Sequence, residues 1–128
     1  MIGRLKMSLL VFPAAGLAAA AAAGAPAAAP NVENGRRIFA ICAACHDPGQ
    51  PPRTGPDLRG VVGRMSATAP GFRYSRALKN ARIVWDETTL DAYLAEPQAA
   101  VPGNAMPFPG LPGSAARLDL IAYLKTLK

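Results

Sequence analysis

The chain has few residues that bind metals or form cross-links. Its 128 residues include only two cysteines and one histidine. A structural zinc site takes about four cysteine or histidine ligands, so this set is too small to build one. Strand-like alternation is weak and no internal repeat is visible, which argues against a β-sheet protein and a repeat protein. We therefore expect a small domain with a single cluster of soft ligands.

Acidic residues are outnumbered, but only mildly. Fourteen Lys and Arg residues face eight Asp and Glu residues, and Arg4 and Lys6 lie in an N-terminal segment that we expect to be removed. The remaining cations are scattered and form no basic run. Nucleic-acid-binding domains concentrate such charge on one face, so we expect no nucleic-acid partner.

The N-terminal segment has the three parts of a secretory signal. Arg4 and Lys6 precede an apolar stretch over residues 8–23, and small residues crowd positions 24–29. The alternative is a retained membrane anchor, which Pro13 and Gly16 disfavour because they interrupt a stretch made mostly of alanine. We therefore divide the chain into a signal at residues 1–29 and one exported, periplasmic domain at residues 30–128.

The two cysteines and the histidine stand together in the sequence CAACH, at Cys42, Cys45 and His46. A C-x-x-C-H run is typical of covalent attachment of c-type haem, in which each thiol adds to a haem vinyl group and the imidazole binds the iron. Two residues between the thiols put both sulfurs within reach of one porphyrin edge. This motif predicts one covalently bound haem c.

Other meanings of a C-x-x-C pair are a thiol-exchange site, half of a metal site or two ordinary core cysteines. A thiol-exchange enzyme has a strand before the motif and a helix after it. In this chain a helical pattern precedes the motif, and turn-forming residues follow it: Asp47, Pro48, Gly49 and Pro51. The order of elements favours haem attachment.

Apolar spacing predicts an all-α domain with three main helices and a short one. The first begins at its N-cap Asn31 and runs to about Ala43; the second follows Asp86 and is closed by Pro97. The third has Ser114 as its N-cap, and a short helix covers residues 75–79. An apolar stripe on the third helix is expected to be core: Leu120, Ile121, Leu124 and Leu127. The Pro- and Gly-rich sequence between the helices is expected to form loops that cover the haem.

The choice of a second axial ligand for the iron is narrowed by elimination, because the chain has no second histidine. The remaining choices are a methionine, a lysine, a tyrosine or an open position. Met1 and Met7 lie in the signal, which leaves Met65 and Met106. Met106 lies in PGNAMPFPG, where prolines stiffen the backbone and could present the sulfur to the haem. We favour Met106 and keep Met65 as the alternative, since a lone methionine is often only core.

Several segments, in order and over nearly all of residues 31–128, resemble class I cytochrome c, the small soluble mitochondrial and bacterial type. They are CAACH, TGPDLRGVVGR, APGFRYSRALKN, IVWDETTLDAYL, VPGNAMPFPG and DLIAYLK. The resemblance implies the cytochrome c fold wrapped around one haem, with thioethers at Cys42 and Cys45 and axial ligands at His46 and Met106. It also implies that Gly35 and Phe39 meet Leu120 and Tyr123 where the terminal helices cross.

The resemblance assigns further residues to the haem pocket. The carbonyl of Pro56 would accept from the ring N–H of His46, and Phe108 would close the exposed haem edge. Hydrogen-bonding or cationic partners of the propionates would be Arg64, Tyr74, Trp85 and Asn104. One departure is that many relatives carry lysines around the methionine loop, where this chain has Gln98, Ala99, Ala100 and Ala105.

The function implied is one-electron transfer between membrane respiratory or photosynthetic complexes and their acceptors, without enzymatic turnover. The expected donor is a bc1-like complex and the expected acceptor a terminal oxidase or reductase. No small molecule should react at the iron, the membrane should be involved only if the N-terminal segment is retained, and the carrier should be a monomer. Two alternatives stay open: a haem subunit of a periplasmic dehydrogenase, such as one oxidising sulfur compounds, and a haem enzyme or gas binder whose iron lacks Met106.

Overall fold

The described part of the chain forms five helices. The structure is a computed structural model, and it describes residues 28–49, 51 and 54–128. Its helices are α1 (Val32–His46), α2 (Arg76–Ala81), α3 (Glu87–Ala95), α4 (Pro97–Ala100) and α5 (Ser114–Leu124). Within these residues the β-structure is limited to one isolated bridge between Met65 and Val84, which confirms the all-α class. The predicted signal lies mostly outside the described residues.

Helix α1 begins where the sequence predicts and continues further than expected. The side chain of Asn31 accepts a hydrogen bond from the backbone N–H of Asn34 at 2.9 Å, as an N-cap should. The helix ends at His46 rather than near Ala43. Asp47 leaves the helical conformation because the proline that follows it disfavours that conformation. The whole CAACH motif is therefore helical.

The other helix boundaries agree with the prediction in part. Asp86 and Thr89 form a reciprocal capping box at the start of α3, and Ser75 caps α2. Pro97 follows the end of α3, but it also begins the short helix α4, which was not predicted. Gly113, not Ser114, is the N-cap of α5. The prediction of Ser114 as the cap was wrong because that residue already lies inside the helix.

The terminal helices α1 and α5 cross at very close range. A side chain at Gly35 would collide with the backbone carbonyl of Asp119, so only glycine permits this approach. One turn further along α1, the rings of Phe39 and Tyr123 lie 5.2 Å apart. Leu120 of α5 is buried beside them, with 1% of its surface exposed. The crossing fixes the end of α1 that carries the CAACH motif.

A second part of the core joins α3 to the loops. Trp85 and Tyr93 are both buried, and their rings lie 5.0 Å apart. Arg117 of α5 reaches across this region. Its Nε atom donates to a carboxylate oxygen of Asp91 at 2.7 Å, and its Nη1 atom donates to the carbonyls of Leu111 and Pro112 at 2.8 Å each. This buried guanidinium fastens the segment between the methionine loop and α5.

None of the helices in the described part of the chain combines the length and the apolar character needed to cross a membrane.

Candidate haem site

One cavity of about 270 Å³ opens between the end of α1, the loops and α3. Nine of the ten residues predicted for the haem site line this cavity. They are Cys42, Cys45, His46, Pro56, Arg64, Tyr74, Trp85, Met106 and Phe108. Asn104 is the exception: it is buried behind the wall and contacts the backbone of the methionine loop. The site thus gathers residues from across the domain.

The two cysteines face the cavity because they are three residues apart in a helix. Residues at that spacing lie on the same helical face, and both Cys42 and Cys45 line the cavity. Burial raises the pKa of the Cys42 thiol. A thiol-exchange enzyme needs a lowered pKa, because the thiolate is the nucleophile. The geometry therefore favours attachment of a cofactor over thiol exchange.

The ring of His46 is oriented by a backbone carbonyl. Its Nδ1 atom lies 2.7 Å from the carbonyl oxygen of Pro56. A carbonyl oxygen only accepts, so Nδ1 carries the proton and Nε2 keeps the lone pair that can bind a metal. Burial lowers the pKa of His46, and the hydrogen bond to Pro56 partly offsets this. The imidazole is thereby kept neutral, as a ligand must be.

The two candidate methionines occupy different environments. Met106 is half-buried and lines the same cavity as His46. Met65 lies at the isolated bridge with Val84, has 42% of its surface exposed and is not part of the described cavity wall. The structure therefore brings Met106, and not Met65, together with the cysteines and the histidine.

Comparisons with known proteins identify related chains. The family model described as Cytochrome c matches residues 32–128. Cytochrome c2 of Blastochloris viridis is 43% identical over 121 residues, which cover 93% of each chain. Cytochrome c2 of Rhodoblastus acidophilus is 45% identical over 78% of this chain and 95% of its own. The solved structure of cytochrome cH from Methylobacterium extorquens superposes with a TM-score of 0.72 at 41% identity, covering 75% of this chain and 98% of that chain.

This chain belongs to the cytochrome c family. The cytochrome c fold expected from the sequence is thus confirmed, and so is the cofactor, a covalently bound haem c. With one C-x-x-C-H run, the chain carries a single haem. It is a single-haem electron carrier.

The wall of this cytochrome c cavity fits a haem chemically. Two thiols, a neutral imidazole and a thioether meet in a cavity lined mostly by apolar side chains. Gly55 lies so close to His46 that a Cβ there would be 2.6 Å from Cε1 of the ring, so the wall fits tightly around the imidazole. Among the described lining residues there are two arginines and neither Asp nor Glu. Such a wall can accept a large apolar ring that carries carboxylates.

The groups predicted to bind the haem propionates have defined surroundings. Arg64 donates to the carbonyls of Asp57 and Arg59 at 2.9 Å each, which fixes its guanidinium at the cavity wall. The hydroxyl of Tyr74 accepts from the backbone N–H of Ala69 at 3.2 Å. A hydroxyl that accepts in this way still has its own hydrogen to donate.

Sequence reasoning overlooked several residues of the wall, and three of them have a clear polar or steric role. Arg73 and Ser75 flank Tyr74 and line the cavity with it, and Gly55 lies against the ring of His46. All three stand within segments that carried the family resemblance, TGPDLRGVVGR and APGFRYSRALKN. The polar residues on either side of Tyr74 could have indicated this part of the wall, because the two haem propionates need more than one hydrogen-bond donor.

Proposed function

We propose that residues 30–128 are the mature electron carrier, and that Cys42 and Cys45 hold the haem by thioethers while His46 and Met106 bind its iron. One observation supports this assignment above all: these four side chains, which come from positions 42 to 106 of the chain, line a single cavity. When bound, the haem supplies one-electron exchange between its ferrous and ferric states. If His46 and Met106 both held the iron, no substrate would reach the metal, and the chain would act as a carrier and not as an enzyme.

The polar part of the wall would receive the two propionates. Arg64, Tyr74 and Trp85 supply a cation, a hydroxyl and an indole N–H. Arg73 and Ser75, which line the same cavity, extend this set. Carboxylates that leave water need such partners, because an unpaired buried charge is strongly unfavourable. Asn104 is left out of this set, because it is not among the lining residues and its Nδ2 atom already donates to two backbone carbonyls.

Electrons would pass through the exposed side of the cavity. Ile41, Ala105 and Pro107 are exposed residues of its wall, and Phe108 is half-buried there. Arg73 is the one exposed charged residue among the described residues that line the cavity, so this rim is mostly uncharged. A donor such as a bc1-like complex and an acceptor such as a terminal oxidase or reductase would dock here through a small interface that releases quickly. A monomer suffices for this role.

The N-terminal segment supports export to the periplasm. It has a basic start, an apolar stretch and a small-residue end. The match to the Blastochloris viridis cytochrome c2 covers 93% of this chain and therefore reaches into the segment before residue 32. The carrier would touch the membrane only if this segment were retained.

The proposal is tested by visible spectra of the exported protein in both oxidation states. A sulfur-ligated ferric haem should show a weak far-red absorption band, and the pigment should stay with the protein in acidified acetone. Met106→Ala should lose the far-red band and bind carbon monoxide when reduced, whereas Met65→Ala should do neither. An extractable pigment would refute the thioethers, and a band that survives Met106→Ala would refute the ligand.

A further inference from the structure

The methionine loop is held from inside by the amide of Asn104. The backbone N–H of Met106 donates to Oδ1 of Asn104 at 3.0 Å, and the hydroxyl of Tyr93 donates to the same oxygen at 3.3 Å. The Nδ2 atom donates to the carbonyls of Pro97 and Val101 at 2.9 Å each. An amide has two donor hydrogens and two acceptor lone pairs, so all four are used. Asn104 has no donor left for a propionate.

The same loop is held from outside by a second amide. Gln98 is exposed, and its Nε2 atom donates to the backbone carbonyl of Asn104 at 2.9 Å. Its Oε1 atom accepts from the backbone N–H of Gly103 at 3.2 Å. Gly103 has φ of +82°, which allows the chain to turn sharply toward the side chain. Gln98 thus bridges two backbone groups on the outer side of the loop.

The residues that anchor these two amides are themselves buried. Pro97 is among the most fully buried residues, and Val101 has 4% of its surface exposed. The backbone N–H of Asn104 also donates to the carbonyl of Val101 at 3.1 Å. Any displacement of Met106 away from the cavity must therefore break hydrogen bonds to α4 or to the residue that follows it.

We propose that Gln98 and Asn104 act together as an amide clamp, defined by these two residues, that positions Met106 and limits how often its sulfur leaves the iron. This inference rests on the proposed role of Met106 as a ligand. The amide is needed at position 98, because one lysine could not both donate to the carbonyl of Asn104 and accept from the N–H of Gly103. Both residues are positioning residues, since neither lines the cavity.

Displacement of Met106 by imidazole in the oxidised holoprotein measures the clamp directly. The apparent affinity for imidazole scales with the fraction of molecules in which the loop is open. Gln98→Leu removes both outer hydrogen bonds and should raise this affinity by roughly tenfold. Gln98→Glu keeps the acceptor and Gln98→Lys keeps the donor, so each should give an intermediate increase. Asn104→Leu, which removes four bonds, should exceed roughly a hundredfold.

A matched control separates loop opening from general instability. Asn34→Ala removes another side-chain amide, whose Nδ2 atom donates to Asp119 at 2.7 Å at the crossing of α1 and α5. This variant should unfold more easily and still bind imidazole as the wild type does. If Asn104→Leu fails to fold, the three variants of the exposed Gln98 still decide the question.

Hydrogen exchange gives a readout that does not depend on the haem ligands. The amide hydrogens of Gly103 and Met106 should exchange faster in Gln98→Leu, and most other amides should be unaffected. The clamp is overturned if Gln98→Leu leaves both imidazole affinity and these exchange rates within about twofold of wild type, less than one lost hydrogen bond should produce. That result would leave ligation by Met106 intact, whereas a far-red band that survives Met106→Ala would instead refute the ligand assignment.

Discussion

The ring nitrogen Nδ1 of His46 and the carbonyl oxygen of Pro56 are 2.7 Å apart, although the two residues lie ten positions apart in the chain. The connection is possible because Gly55 lets the backbone pass over the imidazole. An added Cβ there would lie 2.7 Å from Nδ1 of His46 and 2.8 Å from the carbonyl oxygen of Cys45. The orientation of the proposed iron ligand therefore depends on a residue that has no side chain.

Gly55→Ala should lower the free energy of unfolding of the holoprotein by about 1–3 kcal/mol, because a methyl group is forced into a filled space. Denaturant unfolding measures this loss. Gly113→Ala is a suitable control, since its new Cβ would make only an ordinary contact of 3.6 Å with Ala116. Equal losses in the two variants would show that the space around His46 can relax.

Arg117→Leu should lower the free energy of unfolding by about 1–3 kcal/mol, because it removes the donor to the partly exposed Asp91 carboxylate and to two carbonyls of the loop before α5. The comparison is Arg36→Leu. Arg36 pairs with Glu33 on the surface, with side chains 61% and 54% exposed, and such pairs contribute about 0–1 kcal/mol. Chemical denaturation of both variants should separate them clearly. A small loss in Arg117→Leu would mean that the loop before α5 does not need its anchor.

The free energy of unfolding should fall at alkaline pH partly because of the ionisation of Tyr93. Burial raises the pKa of Tyr93 to about 12, from an ordinary value of 10.0. The folded chain then keeps the phenolic proton at pH values where the unfolded chain releases it. This contribution is complete below pH 10 and is lost as the pH rises toward about 12. Tyr93→Phe should flatten the decline of the unfolding free energy over this range, as measured by urea titrations. An equally steep decline in the wild type and in Tyr93→Phe would show that Tyr93 does not cause this loss of stability.

The sequence predicted most of the named residues of the cavity wall, because their chemistry is local. The CAACH run supplies two thiols and one imidazole together. The family segments pointed to others, such as Arg64 and Trp85, which line the same cavity. Apolar spacing and capping residues were enough for the main helices. Asn31 and Asp86 confirm this, because each caps its helix through a hydrogen bond that depends only on neighbouring residues.

The role of Asn104 could not be predicted in this way. Resemblance pointed to the propionates, but its four hydrogen bonds depend on where Tyr93, Pro97 and Val101 lie in the folded chain. Gln98 was noticed only as a missing lysine. Its two contacts with the loop arise because α4 begins at Pro97 and turns the side chain toward Gly103. Long-range geometry of this kind has no signature in local sequence.

Electron transfer by the wild-type protein should depend only weakly on ionic strength. Most exposed residues of the cavity rim carry no charge, as Ile41, Ala105 and Pro107 show, and Arg73 is the one exposed charged residue among the described lining residues. Charges at an interface mainly steer the encounter and change the association rate, and salt screens them. A rim with a single cation offers little for salt to screen. Rates of oxidation by a purified terminal oxidase, measured over a series of salt concentrations, should therefore decline gently.

Ala105→Lys should reverse this behaviour by adding a cation beside Met106. At low salt we expect faster electron transfer to an acidic partner, and a steeper loss of rate as salt is added. Ala115→Lys is the matched control, because Ala115 is equally an exposed alanine but lies on α5 and is not part of the cavity wall. Both variants gain the same net charge, so a difference between them isolates the effect at the rim. A steep salt dependence already present in the wild type would instead place the docking surface on the scattered arginines and lysines elsewhere.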